Sequence, residues 1–243
     1  EEITSVTSNR NINFELSELS SMNSVRELAK VLNSKNKRID VLINNAGGVF
    51  GKRILTEEGF ERTIALNYLS PFLLTNLVLP LLKSSDHTRI INIGSGAHTG
   101  GRTDFDFSYP WRYSSMKAYS TSKLMLTMFT YALARHLKGG RISSTLVQPG
   151  FVATNLGKNS GSSLLSTSFN LMKPFQITAK VAAKTPIYLA SRGDFEEING
   201  KCFSKMKTVK TSTISYDEKL QDDLWLKTVE ALGLPSENSS PSA

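Results

Sequence analysis

The chain has 243 residues, of which 40% are apolar and 21% are charged. This composition excludes a wholly disordered chain and is sufficient for one core of the larger α/β kind. Residues 73–82 form the longest apolar stretch, which is too short to span a bilayer, and no secretory signal opens the chain. Cys202 is the only cysteine, which excludes an internal disulfide and a cysteine-based metal cluster and suits a cytoplasmic location.

The net charge of +8 has two interpretations. It is either an ordinary solvated surface, or a basic face for nucleic acid, a membrane surface or an anionic ligand. No stacking aromatic residues and no nucleic-acid motif accompany the densest lysines, so we expect no nucleic-acid partner. These lysines are Lys201, Lys205, Lys207 and Lys210.

The first half of the chain alternates strand and helix patterns. A short strand is predicted over residues 11–16, and a helix over residues 21–32, where apolar side chains recur at helical spacing. Residues 39–43 (IDVLI) are nearly all apolar, which is typical of a strand buried on both faces. A long helix is predicted over residues 56–82, with a break near Pro71.

The second half continues the alternation. Strands are predicted over residues 89–93 (RIINI) and 141–147 (RISSTLV), with a helix over residues 115–137 between them. A further helix over residues 178–190 precedes a last strand over residues 200–204 (GKCFS). This order predicts a doubly wound, mostly parallel α/β sheet of the Rossmann-like kind.

We expect one domain over residues 1–235, followed by a polar, disordered tail over residues 236–243. Sheets of this kind bind ligands at the carboxyl ends of their strands. The sequences that follow the three buried strands are small, polar or turn-forming. Each of them, taken alone, is better explained as an ordinary strand-to-helix turn.

Tyr119 and Lys123 are four residues apart on a predicted helix, so their side chains share one face. A nearby ammonium favours the phenolate and lowers the pKa of a tyrosine, which could then exchange a proton near neutral pH. The alternative is a surface tyrosine beside a solvated lysine.

Four patterns occur in one order: N-N-A-G after a strand, N-I-G-S after the next, Y-x-x-x-K on the following helix, and P-G-x-V-x-T after the third strand. This order resembles the short-chain dehydrogenase/reductase family. Residues 40–100, the GKCFS strand and the late Leu224-Trp225 pair are most similar to its retinol dehydrogenase-like branch. The resemblance extends to about Leu234.

The resemblance implies a catalytic group of four residues. Tyr119 would be the acid/base, and Lys123 would lower its pKa and hydrogen-bond the nicotinamide ribose. Ser95 would orient the substrate oxygen, and Asn67 would be the fourth member. Gly94 stands where the branch commonly has a serine.

The resemblance also implies a nicotinamide cofactor, NADP with NAD left open, and no metal. Asn45, Ala46 and Gly47 would lie along the adenosine part of this cofactor. Leu16 would lie by the adenine, although Glu15 departs from the aspartate of the family pattern. The segment for the nicotinamide would contain Pro149, Gly150, Val152 and Thr154.

Pro71 lacks an N–H and lies four residues after Asn67, so the carbonyl of Asn67 loses its helical partner. A water held at this carbonyl and linked to Lys123 would let protons reach solvent. The alternative is a simple kink, with Asn67 packed against its neighbours.

The family's glycine-rich turn, T-G-x-x-x-G-x-G, has no counterpart before Asn11. We therefore expect an N-terminally incomplete fold that lacks the first β-α-β unit, and weak or absent cofactor binding by these 243 residues alone. Residues 98–109 have no helical period and resemble a substrate-side loop, in which His98 is structural rather than a proton shuttle.

The predicted function is hydride transfer between the nicotinamide and an alcohol or carbonyl substrate. Apolar side chains in residues 159–174, where the family has its substrate lid, favour a lipophilic one. The alternative is a catalytically impaired family member that acts as a binding or scaffold protein. By analogy, the two long helices would pair a homodimer, and a membrane anchor upstream of Glu1 would place the chain on the cytosolic face of a membrane.

Overall fold

A computed structural model of the chain describes residues 2–150, 152, 177–193 and 195–235. Within these ranges, five strands form one sheet whose spatial order follows the chain. The first four strands are parallel, and the last is antiparallel to its neighbour. The strands are β1 (Val41–Asn44), β2 (Thr88–Ile93), β3 (Ile142–Val147), β4 (Cys202–Ser204) and β5 (Lys207–Val209).

Helices connect and cover these strands. They are α1 (Glu2–Thr7), α2 (Met22–Lys35), α3 (Arg62–Ile64), α4 (Ser70–Leu77), α5 (Leu79–Lys83), α6 (Ser115–His136), α7 (Ala179–Ser191), α8 (Phe195–Ile198) and α9 (Glu218–Ala231). A π-helical turn, Ala65–Leu69, joins α3 to α4, and 3-10 turns form at Gly96–Gly100 and Thr213–Tyr216.

Ile90 and Ile91 are adjacent in β2, so they point to opposite faces of the sheet, and each belongs to a different hydrophobic core. On the Ile90 side, α2, α4, α6 and α9 pack together, and the ring of Phe72 lies 4.8 Å from that of Trp225. On the Ile91 side, α7 contributes Leu189. Helices on both faces confirm the predicted doubly wound architecture.

The prediction of a strand over residues 11–16 is wrong. This stretch has no regular secondary structure and pairs with no strand among the described residues, and Phe14 and Leu16 are 90% and 98% exposed. The expectation that β1 is buried on both faces is also wrong. Among these residues β1 pairs only with β2, which leaves Ile43 at 42% exposure.

The long helix predicted over residues 56–82 is shorter and breaks elsewhere. Residues 56–61 form a turn closed by an antiparallel bridge between Leu55 and Glu61, and the helix starts at Arg62. Pro71 lies in the first turn of α4. The break falls at Val78, two residues before Pro80, whose missing N–H ends the preceding run.

The helix α6 is buried residue after residue from Ala118 to Ala134, with α9 packed against it. It therefore offers no free face for the predicted pairing of two subunits, and a homodimer stays a prediction. Residues 159–174 and 236–243, the predicted lid and tail, lie outside the described residues. Across the described ranges, no helix is long and apolar enough to cross a bilayer.

Candidate active site

Parallel register brings the ends of the first four strands to one edge of the sheet. Asn44 lies beside Asn92, and Val147 lies between Ile93 and Phe203 on its two neighbouring strands. The residues that follow these strands therefore share one edge, as the sequence pattern predicts for a ligand site.

Asn44, the first residue of the N-N-A-G pattern, has a structural role. Its Nδ2 donates to Oδ1 of Asn92 at 2.8 Å, and Nδ2 of Asn92 donates to Oγ1 of Thr130 on α6 at 3.0 Å. All three residues are buried. This chain of hydrogen bonds fixes β1 to β2 and β2 to α6, because a buried amide without a partner is costly.

Ser95 and Tyr119 meet at the edge of the sheet. Ser95 follows β2 in an extended conformation, and its Oγ accepts from the backbone N–H of Ala97 at 3.2 Å. The hydroxyl of Tyr119, on the first turns of α6, lies near the side chain of Ser95. Burial raises the pKa of Tyr119, and its interaction with the Ser95 side chain opposes part of that rise.

Lys123 lies one helical turn beyond Tyr119 and is buried. Its Nζ donates to the carbonyl oxygen of Ile93 at 2.7 Å and lies 5.9 Å from the centroid of the Tyr119 ring. Burial lowers the pKa of Lys123 to about 8. The sequence predicts that this lysine lowers the pKa of Tyr119. The pKa of Tyr119 is nevertheless raised overall, because loss of solvent around the phenol dominates, and the contribution of Lys123 stays a prediction.

Asn67 lies in the π-helical turn and is buried. Its Oδ1 accepts from the N–H of Gly48 at 2.8 Å, and its Nδ2 donates to the carbonyl of Gly48 at 2.9 Å. Nδ2 also donates to Oγ of Ser122 at 3.0 Å. The side chain thus ties the loop after β1 to α6, a role that sequence reasoning missed. The water relay from its carbonyl to Lys123 stays a prediction.

Glycines allow close approach at two of the strand ends. A Cβ at Gly47 would lie 3.1 Å from Oδ1 of Asn67 and 3.6 Å from Nζ of Lys123. A Cβ at Gly94 would lie 2.9 Å from Cδ1 of Leu146. The resemblance expects a serine at position 94. A glycine there is consistent with the packing, because the side chain of Leu146 fills the space that a Cβ would need.

The predicted cofactor residues divide into three groups. Asn45, Ala46 and Gly47 are exposed beside Asn67 at the sheet edge. Leu16 is also exposed, on the extended stretch before α2. The third group follows β3. Pro149 and Gly150 are described, and Gly150 has a φ of +88°. Val152 forms a bridge with Ile177, and Thr154 lies outside the described residues.

The polar groups at this edge of the sheet are suited to binding a nicotinamide dinucleotide. Nε2 of Gln148, the residue after β3, is buried and has no hydrogen-bond partner among the described residues, so a donor is available there. Gly47 leaves open the space that a Cβ would fill next to Asn67 and Lys123. Among the described residues, no group of His, Cys, Asp or Glu could hold a metal ion.

A separate cleft of about 570 Å³ lies at the other end of the sheet, where Ile142 begins β3. Tyr131, Arg135, Lys138 and Tyr216 are among its lining residues. The candidate catalytic residues are not among them, so we assign the chemistry to the carboxyl edge and not to this cleft.

Comparison with known proteins agrees with this geometry. The short-chain dehydrogenase family profile matches residues 2–164. Retinol dehydrogenase 13 of Homo sapiens is 35% identical over 244 aligned residues, which cover 97% of this chain and 73% of that protein. Retinol dehydrogenase 14 of Mus musculus is 39% identical over 211 residues, covering 86% of this chain and 63% of that protein. A crystal structure of an uncharacterized protein from Mycobacterium paratuberculosis superposes with a TM-score of 0.74 at 27% identity, over 96% of this chain and 80% of that one.

The doubly wound sheet, the serine at its edge and the Tyr-Lys pair on the next helix define a nicotinamide-dependent oxidoreductase, and the chain belongs to the short-chain dehydrogenase/reductase family. Within that family it lies in the retinol dehydrogenase-like branch. Alcohols and carbonyl compounds are the corresponding substrate class.

Proposed function

We propose that the chain transfers a hydride between a nicotinamide cofactor and a lipophilic alcohol or carbonyl compound, with Tyr119 as the acid/base. The observation that carries this proposal is the proximity of the Tyr119 hydroxyl to the Ser95 side chain, which is close enough to lower the pKa of the phenol. Two hydroxyls that meet at the carboxyl edge of the sheet can hold one substrate oxygen between them.

When bound, the cofactor supplies or accepts the hydride. The substrate oxygen lies between Ser95, which donates a hydrogen bond to it, and Tyr119, which exchanges the proton. Burial raises the pKa of Tyr119, and in its phenol form this residue can give its proton to the substrate oxygen during carbonyl reduction. Lys123 is held by the Ile93 carbonyl and lies beside the loop that Asn67 positions.

NADP is the proposed cofactor, with NAD as the alternative. Asn45, Ala46 and Gly47 would pass its adenosine part, and their exposure at the sheet edge leaves them accessible. Pro149, Gly150, Val152 and Thr154 would hold the nicotinamide. Leu16 would lie by the adenine; its exposure means that this contact would be made at the surface.

The proposed substrate is lipophilic because several relatives of similar sequence are named for retinol, an apolar alcohol. The apolar residues of the 159–174 segment support the same class. The proposal therefore expects a long apolar aldehyde to be reduced faster than a small polar one.

The test uses the 243-residue chain with NADPH or NADH, and retinal or glyceraldehyde as the carbonyl substrate. Turnover is followed by loss of the reduced cofactor. Because weak cofactor binding is expected of these residues alone, the cofactor is supplied in large excess. We then expect slow reduction of retinal, and a fall of about 100-fold or more in kcat for Tyr119→Phe. The matched control is Tyr113→Phe, which removes a hydroxyl bound to the Phe50 carbonyl outside the site.

Equal losses in Tyr119→Phe and Tyr113→Phe would reject the role of Tyr119. Failure of the unmodified chain to turn over with either cofactor would reject the proposed reaction for this chain. Faster reduction of glyceraldehyde than of retinal would reject only the lipophilic substrate class.

A further inference from the structure

His98 connects the serine of the site to a distant backbone segment. It lies in the Gly96–Gly100 turn and is 3% exposed. Its Nδ1 lies 2.8 Å from the carbonyl oxygen of Ser95. Its Nε2 lies 3.0 Å from the backbone nitrogen of Ser212, which is 114 residues away in sequence.

Only one form of the imidazole satisfies both contacts. The N–H of Ser212 can only donate, so Nε2 of His98 must be an acceptor. The carbonyl of Ser95 can only accept, so Nδ1 must carry the hydrogen. The two backbone partners therefore select the neutral Nδ1–H tautomer and fix the plane of the ring.

His98 thus bridges Ser95 and Ser212, and the Ser212 segment is itself held by hydrogen bonds. The carbonyl of Ser212 accepts from Oγ of Ser215 at 2.6 Å, and Nε2 of Gln221 on α9 donates to the carbonyl of Ser215 at 2.9 Å. Oγ of Ser215 also bonds Oγ1 of Thr211 at 2.7 Å, which in turn meets the hydroxyl of Tyr131 on α6 at 2.9 Å. The segment is thus tied to the helix that carries Tyr119.

We propose that His98 is a positioning residue that holds Ser95 against Tyr119, by bridging the Ser95 carbonyl to the anchored N–H of Ser212. Its contribution to turnover rests on the proposed function, whereas its effect on the Ser95–Tyr119 contact does not. Only Gly94 and Ser95 lie between the end of β2 and the 3-10 turn. A fixed carbonyl therefore restricts the direction of its side chain.

Two substitutions break the bridge from opposite ends. His98→Leu removes both contacts of the ring. Ser212→Pro removes the N–H that donates to His98, together with a buried hydroxyl that has no hydrogen-bond partner among the described residues, and the φ of −62° at Ser212 already suits proline. Because both changes break one bridge, the double variant should show no further effect on Ser95.

The principal measurement is the titration of Tyr119, followed by NMR with tyrosine labelled with carbon-13 at Cζ. The resonance is assigned by its absence in Tyr119→Phe. The interaction with the Ser95 side chain lowers the pKa of Tyr119, so displacement of Ser95 should raise that pKa further in His98→Leu and in Ser212→Pro. With retinal and NADPH, each variant should lose about 10- to 100-fold in kcat with little change in KM.

His136→Gln is the control for general destabilisation, since His136 is a half-buried histidine that packs on Trp225 away from the site. It should leave the Tyr119 titration unchanged. The proposal is overturned if either bridge variant titrates like the unmodified chain, or if the two shifts add in the double variant. If the unmodified chain shows no turnover, the proposed function fails while the titration still decides the role of His98.

Discussion

The Nζ of Lys123 lies 2.7 Å from the carbonyl oxygen of Ile93, the last residue of β2. This contact joins the middle of the site helix to the strand that delivers Ser95. It also takes the ammonium out of solvent, and burial lowers the pKa of Lys123 to about 8. The buried position of the Lys123 amine therefore lowers the stability of the fold whenever the amine is charged.

The first prediction concerns the pH dependence of that cost. The lysine binds its proton less tightly in the folded state, with a pKa of about 8, than at its ordinary value of 10.5. The penalty is complete below about pH 8 and is relieved as the pH rises to about 10.5. Relative to Lys123→Met, the free energy of unfolding of the unmodified chain should rise by about 3 kcal/mol over this window.

The measurement is urea unfolding of both chains at several pH values, taken as the difference between them. Lys117→Met is the control, because Lys117 is exposed near the start of the same helix. It shows the effect of removing a lysine that is not buried. Parallel stability curves for the unmodified chain and Lys123→Met would contradict the buried ammonium.

The second prediction concerns Asn67. Its replacement by alanine leaves the N–H and C=O of Gly48 and the hydroxyl of Ser122 without this partner. We expect a loss of about 1–3 kcal/mol in the free energy of unfolding. The amide of Gly48 should also exchange faster with solvent, because the loop after β1 is no longer held to the π-helical turn.

Asn76→Ala is the matched control. The Nδ2 of Asn76 donates at 2.8 Å to the carbonyl of Phe72 within the same helix, so its loss weakens the helix without releasing the loop. It should lower stability and leave the exchange of Gly48 unchanged. Unaltered Gly48 exchange in Asn67→Ala would show that the amide does not position the loop.

Local patterns were sufficient for much of the fold. The apolar runs of β2 and β3 and the long stripe of α6 are encoded in consecutive residues, and each was predicted within a few positions of its observed bounds. The stretch over residues 11–16 has the same local pattern, but a strand needs a partner, which local sequence does not reveal. The exposure of Ile43 likewise depends on where β1 lies in the sheet.

The site divides in the same way. Tyr119 and Lys123 are one helical turn apart, so their relation is visible in sequence. The partners of Asn67 at Gly48 and Ser122 are 19 and 55 residues away. The spacing of apolar residues along the sequence does not reveal such contacts, because they form only when the loop after β1 packs on α6. The direction of the Tyr119 pKa also depends on burial, a tertiary property.

The third prediction concerns Glu61, a fully buried carboxyl at the N-terminus of α3. Burial raises its pKa, although hydrogen bonds from the Thr63 and Ile64 backbone and from the Thr63 and Tyr113 hydroxyls oppose the rise. The folded chain therefore binds this proton more tightly than the unfolded chain, and stability is lost as the pH rises from about 4.5 through the raised value. Relative to the unmodified chain, Glu61→Gln should gain stability between pH 4.5 and neutrality.

Glu58→Gln gives a control of opposite sign. Burial acts to raise the pKa of Glu58, but hydrogen bonds from Thr56 and from backbone groups that include the N–H of Met22 outweigh it and leave the pKa lowered. The Glu58 variant should therefore lose stability relative to the unmodified chain as the pH rises toward neutrality. Slopes of the same sign for the two variants in urea unfolding would refute the assignment.

The last prediction concerns Gly94, the residue that precedes Ser95. A Cβ at this position would lie 2.9 Å from Cδ1 and 3.1 Å from Cγ of Leu146, a fully buried side chain of β3. Gly94→Ala should therefore destabilise the chain by about 1–3 kcal/mol through overpacking. Gly96→Ala is the matched control: a Cβ there meets nothing within 4 Å, so its effect should stay within about 0.5 kcal/mol. Adding Leu146→Val should cost less in the Gly94→Ala chain than in the unmodified chain, because it removes the atoms that collide. Additive losses across this double-mutant cycle, measured by urea unfolding, would mean that Leu146 is not what excludes a side chain at position 94.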